Sequence, residues 1–315
     1  MTGNAPLLSL VIPVFDMARF LREAIRSALS QTVRDLEVIV VDDGSNDDVA
    51  AVLAREGDAR VRTVRQPHAG LSAARNRGIE EARAPLVAFL DADDRLRPRG
   101  AATLCAALAR APAAVVAYGD AVPMDEGGRV FGTERPALFG RRPSGDVLEP
   151  LLCRNFITSS GCAVVRASAL RAAGPFRVDL PRAQDWEMWC RLAVLGAFVY
   201  VGRPPLLERR SHDRSISRTV GTRAGSALRA VVAAFSGPEV VARFTPVALA
   251  RMRRERVAAV HAVAGTECLK ARRYDEARRH FLRSLRLDPT SPREALLCCS
   301  SLLRWVPRAL DRRLQ

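Results

Sequence analysis

Leu36-Glu37-Val38-Ile39-Val40-Val41-Asp42-Asp43-Gly44-Ser45 and Leu86-Val87-Ala88-Phe89-Leu90-Asp91-Ala92-Asp93-Asp94 follow one pattern, a nearly unbroken apolar run that stops abruptly in acid. Such runs mark strands buried on both faces of a parallel sheet. Leu8 to Val14 is another, followed by Asp16 as a helix N-cap and by Phe20, Leu21, Ile25, Ala28 and Leu29 at helical spacing. Arg60 to Val64 adds a short strand, Leu71 to about Ala84 a helix stopped by Pro85, and Ala113 to Asp120 a fifth strand. Strands and helices alternating over short connections predict an α/β fold, a doubly wound, mostly parallel sheet with helices on both faces. Ligands of such sheets bind beyond the carboxyl ends of the strands, where both acidic clusters fall.

Further along, residues 121–160 form a Gly-, Pro- and Arg-rich excursion long enough to be functional. A strand at Cys162 to Arg166, a helix to Ala173, a break at Gly174-Pro175, a helix from Asp185 to Leu195 and a strand at Ala197 to Val201 follow. Ser211 to Ser217 reads as a polar loop. From about Gly221 the chain turns to Ala, Arg and Leu at helical periodicity, so residues 1–220 are expected to be one domain and 221–315 a C-terminal helical extension. Within the extension Gly265, Tyr274, Ala277, Phe281, Leu285 and Pro289 resemble one tetratricopeptide helix pair, which cannot bury its own face alone.

The 315 residues are 48% hydrophobic and 26% charged, a globular composition. Of the net charge of +15, residues 223–315 supply +11, with 19 basic against 8 acidic side chains. That excess would suit an anionic membrane surface, and the apolar stretch Leu296 to Val306 beside Arg304, Arg308, Arg312 and Arg313 predicts peripheral contact on the inner face of the cell membrane. An Arg-rich solvated helix face is the plain alternative. Nucleic-acid binding is not expected, because interleaved aromatics and a recognisable module are missing. The seven cysteines form no C-x-x-C pair and sit mostly in apolar runs, as buried thiols of a reducing compartment do. Leu7 to Phe15 lacks a basic flank and contains Pro13, so it reads as a strand, and no run approaches a membrane span. A cytoplasmic protein is expected.

Three carboxylate groups carry the chemistry. Asp91-Ala92-Asp93 alone would be a solvated turn, but a buried strand places it at the ligand edge. Mg2+ or Mn2+ takes oxygen ligands, commonly one or two carboxylates plus substrate phosphates. Asp42 and Asp43 can accept hydrogen bonds from a ribose hydroxyl or a base N–H, while Ser45 is better read as a helix N-cap. Asp185, in Gln184-Asp185-Trp186-Glu187-Met188-Trp189, either caps its helix or serves as a base fixed at a helix start. Trp186 and Trp189 read as core.

The separated motifs Ser9 to Phe15, Leu36 to Ser45, Gly70 to Ile79 (Gly-Leu-Ser-Ala-Ala-Arg-Asn-Arg-Gly-Ile), Phe89 to Asp94, Gly174-Pro175-Phe176 and Gln184 to Glu187 resemble those of family 2 glycosyltransferases of GT-A fold, covering residues 8 to about 218. The resemblance implies an inverting enzyme that moves a sugar from a nucleotide-diphosphate donor, a UDP-sugar for preference, to a hydroxyl of a glycan or lipid-linked acceptor. It implies that Pro13, Val14, Phe15 and one of Asp42 or Asp43 hold base and ribose, that Arg75 and His212 approach the diphosphate, that Asp91 meets ribose or metal beside Ala92, that Asp93 ligates Mg2+ or Mn2+, and that Asp185 is the base. His68 stands where Asn is usual, Gln184 where Glu is usual, and Pro175 where a second Gly is usual.

Two other functions are less compatible with the sequence. A noncatalytic nucleotide-sugar sensor shares the fold, but the joint presence of Asp91, Asp93 and Asp185 favours an enzyme. A nicotinamide oxidoreductase would need G-x-G-x-x-G after the first strand, which the chain lacks.

Overall fold

A computed structural model of the chain describes residues 5–131, 142–212 and 223–302. The chain divides into two compact units, Met1–Leu151 with Asn155–His212, and Leu152–Arg154 with Asp213–Gln315. The expected boundary at 220, and most of the polar loop from Ser211 to Ser217, lie outside the described residues.

The first unit contains β1 (Leu8–Val14), α1 (Ala18–Leu29), β2 (Leu36–Asp42), α2 (Val49–Ala54), β3 (Val61–Arg65), α3 (Leu71–Glu81), β4 (Leu86–Phe89), β5 (Arg95–Leu96), α4 (Gly100–Arg110), β6 (Ala114–Tyr118) and β7 (Ala121–Met124). After α5 (Leu148–Cys153) come a 3-10 turn at Ser160–Cys162, β8 (Ala163–Arg166), α6 (Ala167–Ala173), α7 (Gln184–Leu195), β9 (Ala197–Tyr200) and β10 (Leu207–Arg210). The main sheet runs β3-β2-β1-β4-β8-β6-β9, and β5-β10-β7 form a second, small one. All pairs of the main sheet are parallel except those made by β8, which lies antiparallel to both β4 and β6. The mostly parallel α/β sheet is therefore as expected.

Every residue of β1, β2 and β4 is buried, which their apolar sequences require. Leu10, Ile12 and Val14 of β1 join α1 and α4 in one core cluster. Val11 faces the other way, against α3. The approach of α3 is so close that a Cβ on Gly78 would lie 2.2 Å from Val11 Cγ1. Gly78→Ala would gain about 0.5–1 kcal/mol of helix propensity but overpack a central strand, at a cost of about 1–3 kcal/mol. We expect a lower midpoint in chemical denaturation, and an unchanged or higher midpoint would refute the packing argument.

Several local expectations are corrected. Asp16 does not cap α1: it sits at φ 51°, and its Oδ1 accepts from Asn46 N at 2.7 Å. Ser45 caps no helix either, because its Oγ accepts from Asp16 N at 3.1 Å. Ala18 N donates to Asp47 Oδ2 at 2.8 Å. The turns after β1 and β2 thus stitch to one another, taking the groups that capping would have used. α3 ends at Glu81, ahead of Pro85. Trp186 and Trp189 are core as expected, with Trp186 Nε1 donating to the Leu151 carbonyl at 2.7 Å.

The second unit holds α8 (Arg223–Phe235), α9 (Pro238–Arg243), α10 (Pro246–Lys270), α11 (Tyr274–Leu287) and α12 (Pro292–Leu302). A Cβ on Gly265 would sit 2.7 Å from Phe281, so α10 and α11 meet at backbone range there. Leu297 and Cys298 of α12 complete the cluster with Cys268, Leu269, Ala277 and Phe281. The expected helix pair is therefore covered by a third helix of its own unit. Within the stretch Leu296 to Val306, Leu297 and Cys298 face this core while Leu296 is exposed, and Val306 with Arg304, Arg308, Arg312 and Arg313 lies outside the described residues. His261 and His280 pack together, Nδ1 to Nδ1 at 3.1 Å. No helix among the described residues is long and apolar enough to cross a membrane.

Candidate active site

At the carboxyl edge of the main sheet, β4 delivers Asp91, Ala92 and Asp93, and α3 delivers Arg75. Arg75 is buried, and its Nη2 donates to Asp91 Oδ1 at 3.0 Å and to Ser160 Oγ at 2.7 Å. Its guanidinium lies 5.8 Å from the Phe89 ring centre and 5.6 Å from that of Phe176, a cage that fixes the charge in place. Asn76 and Phe176 exchange two hydrogen bonds, Nδ2 to the Phe176 carbonyl at 2.9 Å and Phe176 N to Oδ1 at 2.7 Å. Two motifs far apart in sequence are thereby one structural piece.

Asp185 lies in the first turn of α7 and is not its cap; Ala183, in the left-handed region at φ 58°, precedes the helix. Its Oδ1 accepts from Trp186 N at 2.7 Å. Burial pushes the Asp185 carboxyl above its ordinary range, Arg75 pulls it back, and the charge of Asp91 raises it again. Behind them, Arg191 bonds both Glu187 oxygens and the carbonyls of Ala173, Gly174 and Pro175, so the Gly-Pro break is a fixed turn.

Asp93 Oδ2 lies 2.9 Å from His212 Nε2, and His212 is buried against the Phe20 ring at 5.1 Å. Burial first, and then the charge of Asp91, raise the Asp93 carboxyl. Asp94 is raised well above its ordinary value, by burial and then by Asp93 and Asp91. The residues at this turn fit a partly protein-bound divalent cation: acid crowding disfavours ionisation, and a cation would relieve it, with phosphates completing the shell. Among the described residues, no three His, Cys, Asp or Glu side chains stand together as a complete metal-binding group.

Asp42 and Asp43 are buried and engaged. Asp42 accepts from Ser45 N at 2.9 Å and from Arg65 Nη1 at 2.8 Å. Asp43 accepts from Gln66 Nε2 and Ala69 N on Oδ1, and on Oδ2 from Gly70 N at 2.8 Å, with His68 Nδ1 2.9 Å away. Their evident work is to shape the turn, where Gly44 has φ 77° and leaves no room for a Cβ beside His68 N. Pro13 and Val14 are buried in β1, and Phe15 is the exposed member of that trio, its ring stacked on His68 at 3.9 Å.

Three residues escaped the sequence reading. Ser160 gives no signal apart from its contact with Arg75. Asp94 was visible as a third acid but unassigned. Arg210 stands in the polar segment Leu207-Glu208-Arg209-Arg210 and carries no sequence signal.

A model of "Glycosyl transferase family 2" matches residues 9–174. The "uncharacterized protein MT1568" of Mycobacterium tuberculosis is 30% identical over 231 residues, 69% of this chain and 72% of that one. The chain spans only 26% and 31% of the lengths of two further matched glycosyltransferases, from Bacillus subtilis and Rickettsia bellii. Among solved structures, Staphylococcus aureus TarS 1-349 in complex with UDP-GlcNAc shares the fold at TM-score 0.66 and 13% identity, over 94% of this chain and 87% of that one. Mannosyltransferase PcManGT from Pyrobaculum calidifontis, in complex with GDP-Man and Mn2+, aligns at TM-score 0.59 and 18% identity, over 96% and 81%. With a family model spanning more than half its length, this chain belongs to glycosyl transferase family 2.

Proposed function

We propose that the chain is an inverting glycosyltransferase that takes a sugar from a UDP-sugar and delivers it to a hydroxyl of a glycan or lipid-linked acceptor. The observation that carries this is the buried Arg75 bonded to Asp91 at the carboxyl edge of the main sheet. The donor class is supported by fold relatives seen with UDP-GlcNAc and with GDP-Man and Mn2+.

In this reading Asp185 takes the proton of the acceptor hydroxyl as its oxygen attacks the anomeric carbon. The C–O bond to the diphosphate breaks on the opposite face, inverting the centre in one displacement. Arg75 holds Asp91 and offers positive charge beside the departing diphosphate. Phe15 presents the nucleobase with an aromatic face, beside the turn that Asp42 and Asp43 shape. Asp93 and Asp91 would hold Mg2+ or Mn2+, which when bound with donor diphosphate supplies charge neutralisation of the leaving group.

A release assay across UDP-, GDP- and TDP-sugars, with Mg2+ or Mn2+, tests the proposal. Nucleoside diphosphate should appear faster with UDP-sugars than with the others, and faster still with acceptor. Tight UDP-sugar binding with no turnover under any acceptor would favour the sensor reading instead.

We further propose that the extension gives peripheral contact with an anionic membrane. Its described surface exposes Arg251, Arg253, Arg254, Arg279, Arg283 and Arg286. Each arginine near such a surface contributes about 1 kcal/mol, so reversing Arg279, Arg283 and Arg286 to Glu should cost more than about 100-fold in binding to phosphatidylglycerol vesicles. Equal flotation of variant and parent would sink the idea.

A further inference from the structure

Arg210 ends β10 at 4% exposure, although proteins seldom bury an arginine without partners. Its Nε donates to the Asp93 carbonyl at 2.8 Å, its Nη1 to the Glu126 carbonyl at 2.7 Å, and its Nη2 to Glu23 Oε2 at 2.7 Å. Its backbone N–H donates to Asp94 Oδ1 at 2.9 Å. The guanidinium lies over Phe20, 4.7 Å from the ring centre, and the same ring supports His212. One side chain thus ties α1, the turn after β7 and the acidic turn together. Neighbouring Arg95 repeats only the outer part, reaching Glu23, Glu208 and the Gly128 carbonyl.

None of the Arg210 contacts engages the carboxylates of Asp91 or Asp93. The guanidinium holds the backbone carbonyl of Asp93, from which that carboxylate projects, and the Arg210 main-chain N–H holds the side chain of Asp94 one residue on. The Asp94 N–H in turn donates to the Asp91 carbonyl at 3.0 Å, which closes the turn. The turn therefore cannot change shape without breaking bonds that converge on Arg210.

We propose that Arg210 is the positioning residue of the donor site: it presets the spacing of Asp91 and Asp93, and so sets cation affinity without touching cation or donor. This rests on the metal-assisted reading above. Groups that orient metal ligands from behind typically change metal affinity by about 10- to 100-fold when replaced. Lysine keeps the charge but lacks the planar fork, so it can serve only part of the set that Arg210 joins.

The test is calorimetric titration of the full chain with UDP, and with GDP in parallel, at a series of Mn2+ concentrations and in EDTA. Arg210→Lys should raise the Mn2+ concentration needed for half-maximal enhancement of nucleotide affinity by about 10-fold or more. Affinity in EDTA should be unchanged. Glu23→Gln, at a partly exposed carboxylate, should give a smaller rise in the same direction and decides the matter if the lysine variant does not fold. An unchanged Mn2+ requirement overturns the proposal, as does an equal loss of affinity with Mn2+ and in EDTA. Failure of the underlying reading looks different, because the unmodified chain would then bind both nucleotides alike with and without Mn2+, or bind neither, and the inference would fall with it.

Discussion

Asp185→Asn is expected to lower kcat by about 10²- to 10⁴-fold and leave donor KM nearly unchanged. Asparagine keeps the shape and can still accept from Trp186 N, so the start of α7 survives; what disappears is the basic oxygen. The pH profile makes the test specific. A base works only when deprotonated, so turnover must rise with pH through the Asp185 ionisation and then level. Burial and Asp91 place that ionisation above the ordinary aspartate value of 3.8, with Arg75 opposing them. The parent should show this acid limb in kcat, and the residual activity of Asp185→Asn should lack it. Removing the positive charge with Arg75→Gln should move the limb to higher pH. Full turnover by Asp185→Asn would remove Asp185 as the base.

Much of the site was legible because the strands that carry it are buried on both faces. β1, β2 and β4 are buried throughout and, apart from the bonded pair Ser9 and Glu37, apolar up to their ends, so the acids that follow β2 and β4 had to lie at an edge of the sheet. Hydrophobic runs carry no sign of direction, however. β8 reads like its neighbours in sequence, yet it runs antiparallel between β4 and β6. Asp16 and Ser45 depart from local pattern for a related reason. Local pattern assumed each would serve the helix that follows, whereas the two turns are adjacent in space and bond one another.

Arg210 shows the sharper limit. In Leu207-Glu208-Arg209-Arg210 it is one arginine in a polar segment, and its strand β10 carries no continuous apolar run. What buries it is contributed by Glu23, Asp93 and Glu126, residues 187, 117 and 84 positions away. No window of sequence holds that information. Asp43 was legible as an acid at a strand end, whereas the loop at 66–70 that its oxygens hold was not, because Gln66, Ala69 and Gly70 lie more than 20 positions further on.

Asp93→Asn should separate activity from stability. Turnover is expected to fall by about 10²- to 10³-fold, the scale seen when one electrostatic contact to the developing charge is lost. The residual rate should no longer respond to Mn2+. Stability should move the other way or stay put, because the Asp93 carboxylate is held above its ordinary pKa by burial and by Asp91, so its ionised form is disfavoured in the folded chain. An amide removes that repulsion, and its oxygen can still accept from His212 when Nε2 carries the proton. The thermal midpoint, measured in EDTA at neutral pH, should therefore equal or exceed that of the parent. A structural carboxylate would behave oppositely, since its loss would lower the midpoint and slow the reaction with and without metal alike. Parent-like turnover with an intact Mn2+ response would show that the acidic turn is not where the cation acts.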